Sequence, residues 1–160
     1  MASSFQLSLF EHKAWCNARL ADTLRATYGQ LDAMSWAVIL LTFEHTHLVD
    51  RAFQARLEDR APDIDAVAGR AVPEIGELAQ RMAATDAWYV RHAREVADAE
   101  LEQIVEFTYL IDGEKGRMTK AEILGHLITH GAAHRGAIGK MLSDHKVKGR
   151  SDLMTTFRRP

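Results

Sequence analysis

A single cysteine, Cys16, and three prolines are all that this chain of 160 residues contains of either type. One thiol excludes an internal disulfide framework and any zinc site built from several cysteines, and it fits a reducing compartment. Cys16 itself reads as an inert thiol on a helix. Charge of one sign is also lacking. Twenty Lys and Arg stand against 22 Asp and Glu, a net charge of -2, so there is no basic field to hold a phosphate backbone and nucleic acid is not an expected partner. The longest apolar run, Met34 to Phe43, is interrupted by Ser35 and Thr42 and is about half of what a bilayer span requires, so no membrane is expected either. The opening Met1-Ala-Ser-Ser-Phe-Gln has neither the basic nor the apolar region of a secretory signal, which makes the cytoplasm the expected location. A Walker loop, G-x-G-x-x-G and G-x-S-x-G are absent as well.

What is present is apolar and periodic. Hydrophobic residues make up 47% of the chain, enough for a core of ordinary size, and the length suits one domain over residues 1–160. Helical periodicity runs through four segments of similar length: Ser4 to Tyr28, Ser35 to Arg60, Glu74 to Ala99 and Thr119 to Asp144. Gly29-Gln-Leu-Asp closes the first, and a connection from Ala61-Pro-Asp to Pro73 separates the second from the third. Before the last segment, Val105-Glu-Phe-Thr-Tyr-Leu-Ile is β-rich and leads into Asp112-Gly113, which predicts a short strand or hairpin. Four amphipathic helices must bury their stripes against one another, so the expected fold is all-α, a four-helix bundle with a short hairpin before the last helix.

Position on the helix separates the eight histidines. At about 100° per residue, the last helix places Ile123, Leu127, Ile138 and Met141 on one stripe, with His134 inside it, His130 at its edge and His126 further round. His130 and His134 are i and i+4, so their rings project from one face and can reach one ion. On the second helix Val38, Leu41, Leu48, Val49 and Ala52 define an apolar centre with His45 in its middle, while His47 falls on the polar side with Glu44, Arg51 and Glu58. Three neutral imidazoles converging from two helices leave positions open for water or substrate, the arrangement of a catalytic rather than a structural metal. Gly131 follows His130 where a metalloprotease would carry its general-base glutamate, and the paired Glu-x-x-His motifs of a di-iron bundle are missing.

Three stretches carry a resemblance: Trp15-Cys16-Asn17-Ala18-Arg19-Leu20, His45-Thr46-His47-Leu48-Val49-Asp50-Arg51, and the segment from Thr119 to Gly136 that contains His126, His130 and His134-Arg135-Gly136. Together they are similar to the corresponding segments of the DinB family, the DinB/YfiT-like metalloenzymes. The resemblance implies a four-helix bundle and a metal held by one histidine of the second helix and the H-x-x-x-H pair of the last, here His45, His130 and His134. It further implies a divalent ion (Zn, Ni or Fe), a small-molecule substrate, a homodimer, and thiol-dependent transferase chemistry in which a low-molecular-weight thiol is activated on the metal. A metal-activated water doing hydrolysis would use the same ligands. A non-catalytic stress protein, binding metal or a small ligand as a dimer, is the alternative; the family name refers to damage-inducible expression.

Other residues have local readings. Asn17 lies on the stripe of Phe10, Ala14, Ala21, Leu24 and Tyr28, where its amide either orients a ligand histidine or bonds between helices. Asp50 sits between the two faces of its helix, as a solvated or ion-paired carboxylate or a partner to the metal site. Arg135 is about 100° from His134 and reads as a salt-bridge or substrate-edge residue. Trp36, Trp88 and Tyr89 read as core or interface aromatics. Gly125, Gly131, Gly136 and Gly139 each cost up to about 1 kcal/mol against alanine in a helix, which close helix contact or room for a ligand over the metal would offset. Thr119 and Glu122 form a capping box.

Overall fold

A computed structural model describes residues 4–63, 71–109, 113–149 and 152–159. In chain order the elements are α1 (Ser4–Ala26), α2 (Ala33–Leu57), α3 (Ile75–Glu95), α4 (Asp98–Leu101), β1 (Ile104–Thr108), β2 (Lys115–Thr119), α5 (Lys120–Asp144) and α6 (Met154–Phe157). The four long helices are those that the periodicity predicts, and the fold is all-α with one antiparallel hairpin. The short α4 and α6 carry no periodic signal. Much of the predicted Ala61–Pro73 connection, and the Asp112 of the predicted turn, lie outside the described residues.

Local chemistry places the helix ends. The Asp32 side chain accepts from Ser35 N at 2.9 Å at the start of α2, and Gly29, at φ +79°, turns the chain out of α1. The hairpin pairs Phe107 with Gly116 and Ile104 with Thr119. A Cβ at Gly116 would run into the Phe107 ring, which instead packs edge-on against Phe53 of α2 at 5.3 Å. From Thr119 the chain enters α5 through the expected capping box. Glu122 N donates to Thr119 Oγ1 at 3.1 Å, and Thr119 N donates to Glu122 Oε2 at 2.7 Å. The Thr119→Ala variant should therefore lose about 1 kcal/mol of unfolding free energy in urea with an unchanged m-value; no change would mean that packing alone sets the start of α5.

α1 packs most closely on α3 and α2 on α5, while thinner α2–α3 and α1–α5 contacts close the ring. The core is divided. One apolar cluster contains Leu24, Ile39, Phe43, Leu78, Ile138 and Leu142, and a second contains Phe10, Tyr89, Ala93, Ile123 and Leu127. On each long helix, buried polar residues lie between the two sets: Lys13 and Asn17 on α1, Glu44, His47 and Asp50 on α2, Asp86 on α3 and Arg135 on α5. The bundle thus has two apolar halves with a polar layer across its middle.

This layering corrects the expected orientation of α2. Val38 and Leu41 of the expected apolar centre are 43% and 41% exposed, whereas Glu44 and His47 of the expected polar side, and Asp50 between the two faces, are buried. His47, only 2% exposed, has no hydrogen-bond partner at either ring nitrogen among the described residues. Burial, then Arg81 and Arg51, lower its pKa to about 4, so its ring is neutral. Tyr28, placed on the α1 stripe, is 72% exposed and packs edge-on against Trp36. Tyr89 is core as expected, stacked on Phe10 at 5.3 Å between ring centroids.

Candidate metal centre

The close α2–α5 pairing sets His45 opposite His130 and His134 at the height of the polar layer. One turn of α5 separates the last two, and their ring centroids lie 4.5 Å apart; His45 is 5.2 Å from His130 and 5.0 Å from His134. The side-chain nitrogens that the three can offer all fall within 4.8 Å of one another. His45 Nε2 and His130 Nε2 are 3.3 Å apart, which is about the edge of a tetrahedron with metal–nitrogen distances near 2.05 Å.

Burial lowers the His45 pKa, with help from His134, and it lowers that of His130 to about 4, with help from His134, His45, His126 and Lys13. Both rings are therefore neutral at physiological pH, the state in which an imidazole offers a lone pair. All three residues are half-buried, so the cluster is open on one side. No Asp, Glu or Cys joins it among the described residues. A donor set of three neutral nitrogens suits Zn, Ni or Fe and leaves the charge of a bound ion uncompensated.

The surroundings differ from the sequence reading at several positions. His126 is drawn to the cluster's edge, stacking on His130 at 5.2 Å with Phe53 against its other side at 5.6 Å. His130 Nδ1 is buried without an acceptor among the described residues, and Asn17 does not supply one. Its amide bonds between helices instead: Nδ2 donates to Asp86 Oδ2 at 2.8 Å, and Oδ1 accepts from Arg135 Nη1 at 3.0 Å. Of its expected roles Asp50 takes the ion pair, with Lys13 at 2.6 Å, and takes it buried instead of at the surface. The same ammonium holds Asp86 at 2.7 Å, and Tyr89 donates its hydroxyl to the Asp50 carbonyl at 2.7 Å. Arg135 forms the expected salt bridge, from Nε to Asp152. Cys16 is a buried thiol whose pKa burial, and then Asp152, push up to about 12, as suits its inert reading.

Lys13 and Asp86 are the residues that the sequence reading passed over. Lys13 did carry a signal: it stands on the α1 stripe between Phe10 and Asn17, at i+3 and i-4, where a lone cation must find a counterion. Nothing comparable marks Asp86. Among the glycines, Gly131 is tightly placed, since a Cβ would lie 3.1 Å from Arg135 Nη1, but Gly125, Gly136 and Gly139 face open space. The tight neighbour of Gly131 belongs to its own helix, and its neighbour on α1, Lys13 Cε, lies at an ordinary 3.7 Å, so close helix contact accounts for none of the four.

A family model described as the DinB family matches residues 1–157 of the chain. No curated protein and no solved structure matches it significantly.

Proposed function

The chain belongs to the DinB family, and from that premise we propose that His45, His130 and His134 together hold one divalent metal ion, on which a small thiol is activated for transfer to an electrophile. The observation that carries this reading is the convergence of three half-buried imidazoles with no carboxylate among them. When bound there, a divalent ion supplies Lewis-acid activation, lowering the pKa of a thiol or of water into the physiological range.

The protein's own part is positioning and environment. His130 and His134 are fixed by one turn of α5, and His45 by the packing of α2 on that helix. A ligating imidazole brings no negative charge, so three of them leave the positive charge at the centre, which favours an anionic sulfur over a neutral ligand. Leu41 and Val38 lie one and two turns before His45 on the same face of α2 and are exposed. They offer an apolar shelf beside the open side of the cluster for the body of a hydrophobic electrophile.

The test is to load the protein with Zn(II), Ni(II) or Fe(II) and assay conjugation across a panel of cellular thiols and electrophiles. Saturable turnover that disappears in the His134→Ala protein is the expected result. If no thiol at millimolar concentration perturbs the spectrum of the Ni(II) or Fe(II) form, thiol activation is wrong, and hydrolysis or non-catalytic metal binding takes its place.

A further inference from the structure

α5 presents a second face. Gly139 lies about 180° around the helix from His130, and there the thin α1–α5 contact leaves a cavity of about 480 Å³. That volume falls within the range of small-molecule pockets, about 300 to 1,000 Å³. Leu9 and Leu20 of α1, Ile128 of α5 and Met154 of α6 supply apolar walls, and Gly136 and Gly139 form part of the floor.

These two glycines are not needed for helix packing, because a Cβ at either would meet no protein atom within 4 Å. Glycine nonetheless weakens a helix relative to alanine. What a side chain here would occupy is the cavity itself.

Two cations, Lys13 and Arg135, stand on the wall beside His12. Lys13 spends two of its three N–H donors, and its charge, on the Asp50 and Asp86 carboxylates. Arg135, 6% exposed, donates from Nε to Asp152 and from Nη1 to Asn17, while Nη2 has no partner among the described residues and is not sealed from solvent. A buried guanidinium with a free edge, set in apolar walls, recognises a carboxylate carrying an apolar body. The adjacent Asp152 carboxylate, already paired with Arg135, repels each negative charge a ligand brings, so a monoanion is opposed less than a dianion. We propose that the α1–α5 groove is a binding site for an amphipathic monocarboxylate, held by Arg135 Nη2 and separate from the histidine centre.

The test is isothermal titration of decanoate, below its micellar concentration, into the full chain, with decanol and decyl phosphate as neutral and dianionic comparators. One site per chain is expected, with decanoate at least tenfold tighter than either comparator. Gly136→Leu should weaken decanoate at least tenfold while leaving the melting temperature unchanged or higher, since a Cβ there meets no protein atom within 4 Å and leucine is the better helix former. Arg135→Lys should weaken it by a similar factor, and His45→Ala should leave it unaltered. The proposal is overturned by the absence of saturable binding below 1 mM, by undiminished binding in Gly136→Leu, by equal or tighter binding of decyl phosphate or decanol, or by loss of binding in His45→Ala. Concentration-dependent self-association that Gly136→Leu abolishes, without decanoate binding, would assign the groove to a second copy of the chain and equally overturn it.

Discussion

The His45→Ala, His130→Ala and His134→Ala proteins should each bind Zn(II) at least tenfold more weakly than the parent chain, because each loses one of three nitrogen donors and no carboxylate stands by to replace it. Competition against a chromophoric chelator measures this directly. The controls are His126→Ala and His47→Ala. His126 stacks on the cluster's edge and lies outside the converging set, and His47 is buried in the polar layer with no partner for its nitrogens among the described residues. If either control removes the metal while His45→Ala retains it, the assignment is wrong.

Removing the metal should leave the bundle folded. Neither apolar cluster contains any of the three histidines, so chelation takes nothing from the core, and the far-UV circular dichroism at room temperature should persist. The melting temperature should still fall, since at a free metal concentration one hundred times Kd linkage contributes about 2.7 kcal/mol. Collapse of the helical signal on chelation would instead make the centre structural.

The second large effect is expected at Lys13. Its ammonium is held charged by Asp50 and Asp86 although burial, the largest single influence on it, works to lower its pKa. Burial pushes Asp50 up to about 6 even beside that ammonium. Lys13→Met keeps the length of the side chain but strands two carboxylates in the layer, a loss of about 3 to 5 kcal/mol from a total that for such domains is about 5 to 15 kcal/mol. Urea unfolding measures it. The sign of the pH dependence follows from Asp50. A carboxyl whose folded pKa lies above its unfolded value of about 3.9 binds more protons in the folded state, so its contribution to stability declines as pH rises through the folded value. Without Lys13 that value rises further, so the variant should be markedly more stable at pH 5 than at pH 8. Adding Asp50→Asn should recover part of the loss at pH 8 and flatten the profile. A Lys13→Met protein as stable as the parent at pH 8 would show that the two carboxylates reach water.

Local spacing carried much of this protein into view. The i, i+4 relation of His130 and His134 is a property of one helix, and the Thr119–Glu122 capping box is closed within four residues, so neither needs a partner to be legible. His45 was legible in identity but not in setting: the sequence wheel put it at the centre of a buried stripe, whereas its neighbours Val38 and Leu41 face outward. A wheel fixes the angles between side chains on one helix. It does not say which direction the other helices occupy.

The polar layer was decided wholly at that second level. Lys13 meets Asp50 and Asp86 across 37 and 73 residues of sequence, and Arg135 meets Asn17 across 118, distances at which no periodicity carries information. The groove behind Gly136 and Gly139 belongs to the same class, since a glycine that relieves a contact and one that leaves a space are identical until the neighbouring helix is in place. The sequence by itself determined four amphipathic helices, the capped start of the last of them and three histidines able to converge, because hydrogen bonds and periodicity act within a few residues. Only the tertiary structure decided which faces are buried and which charges meet, because burial and Coulomb energy depend on what stands opposite a side chain.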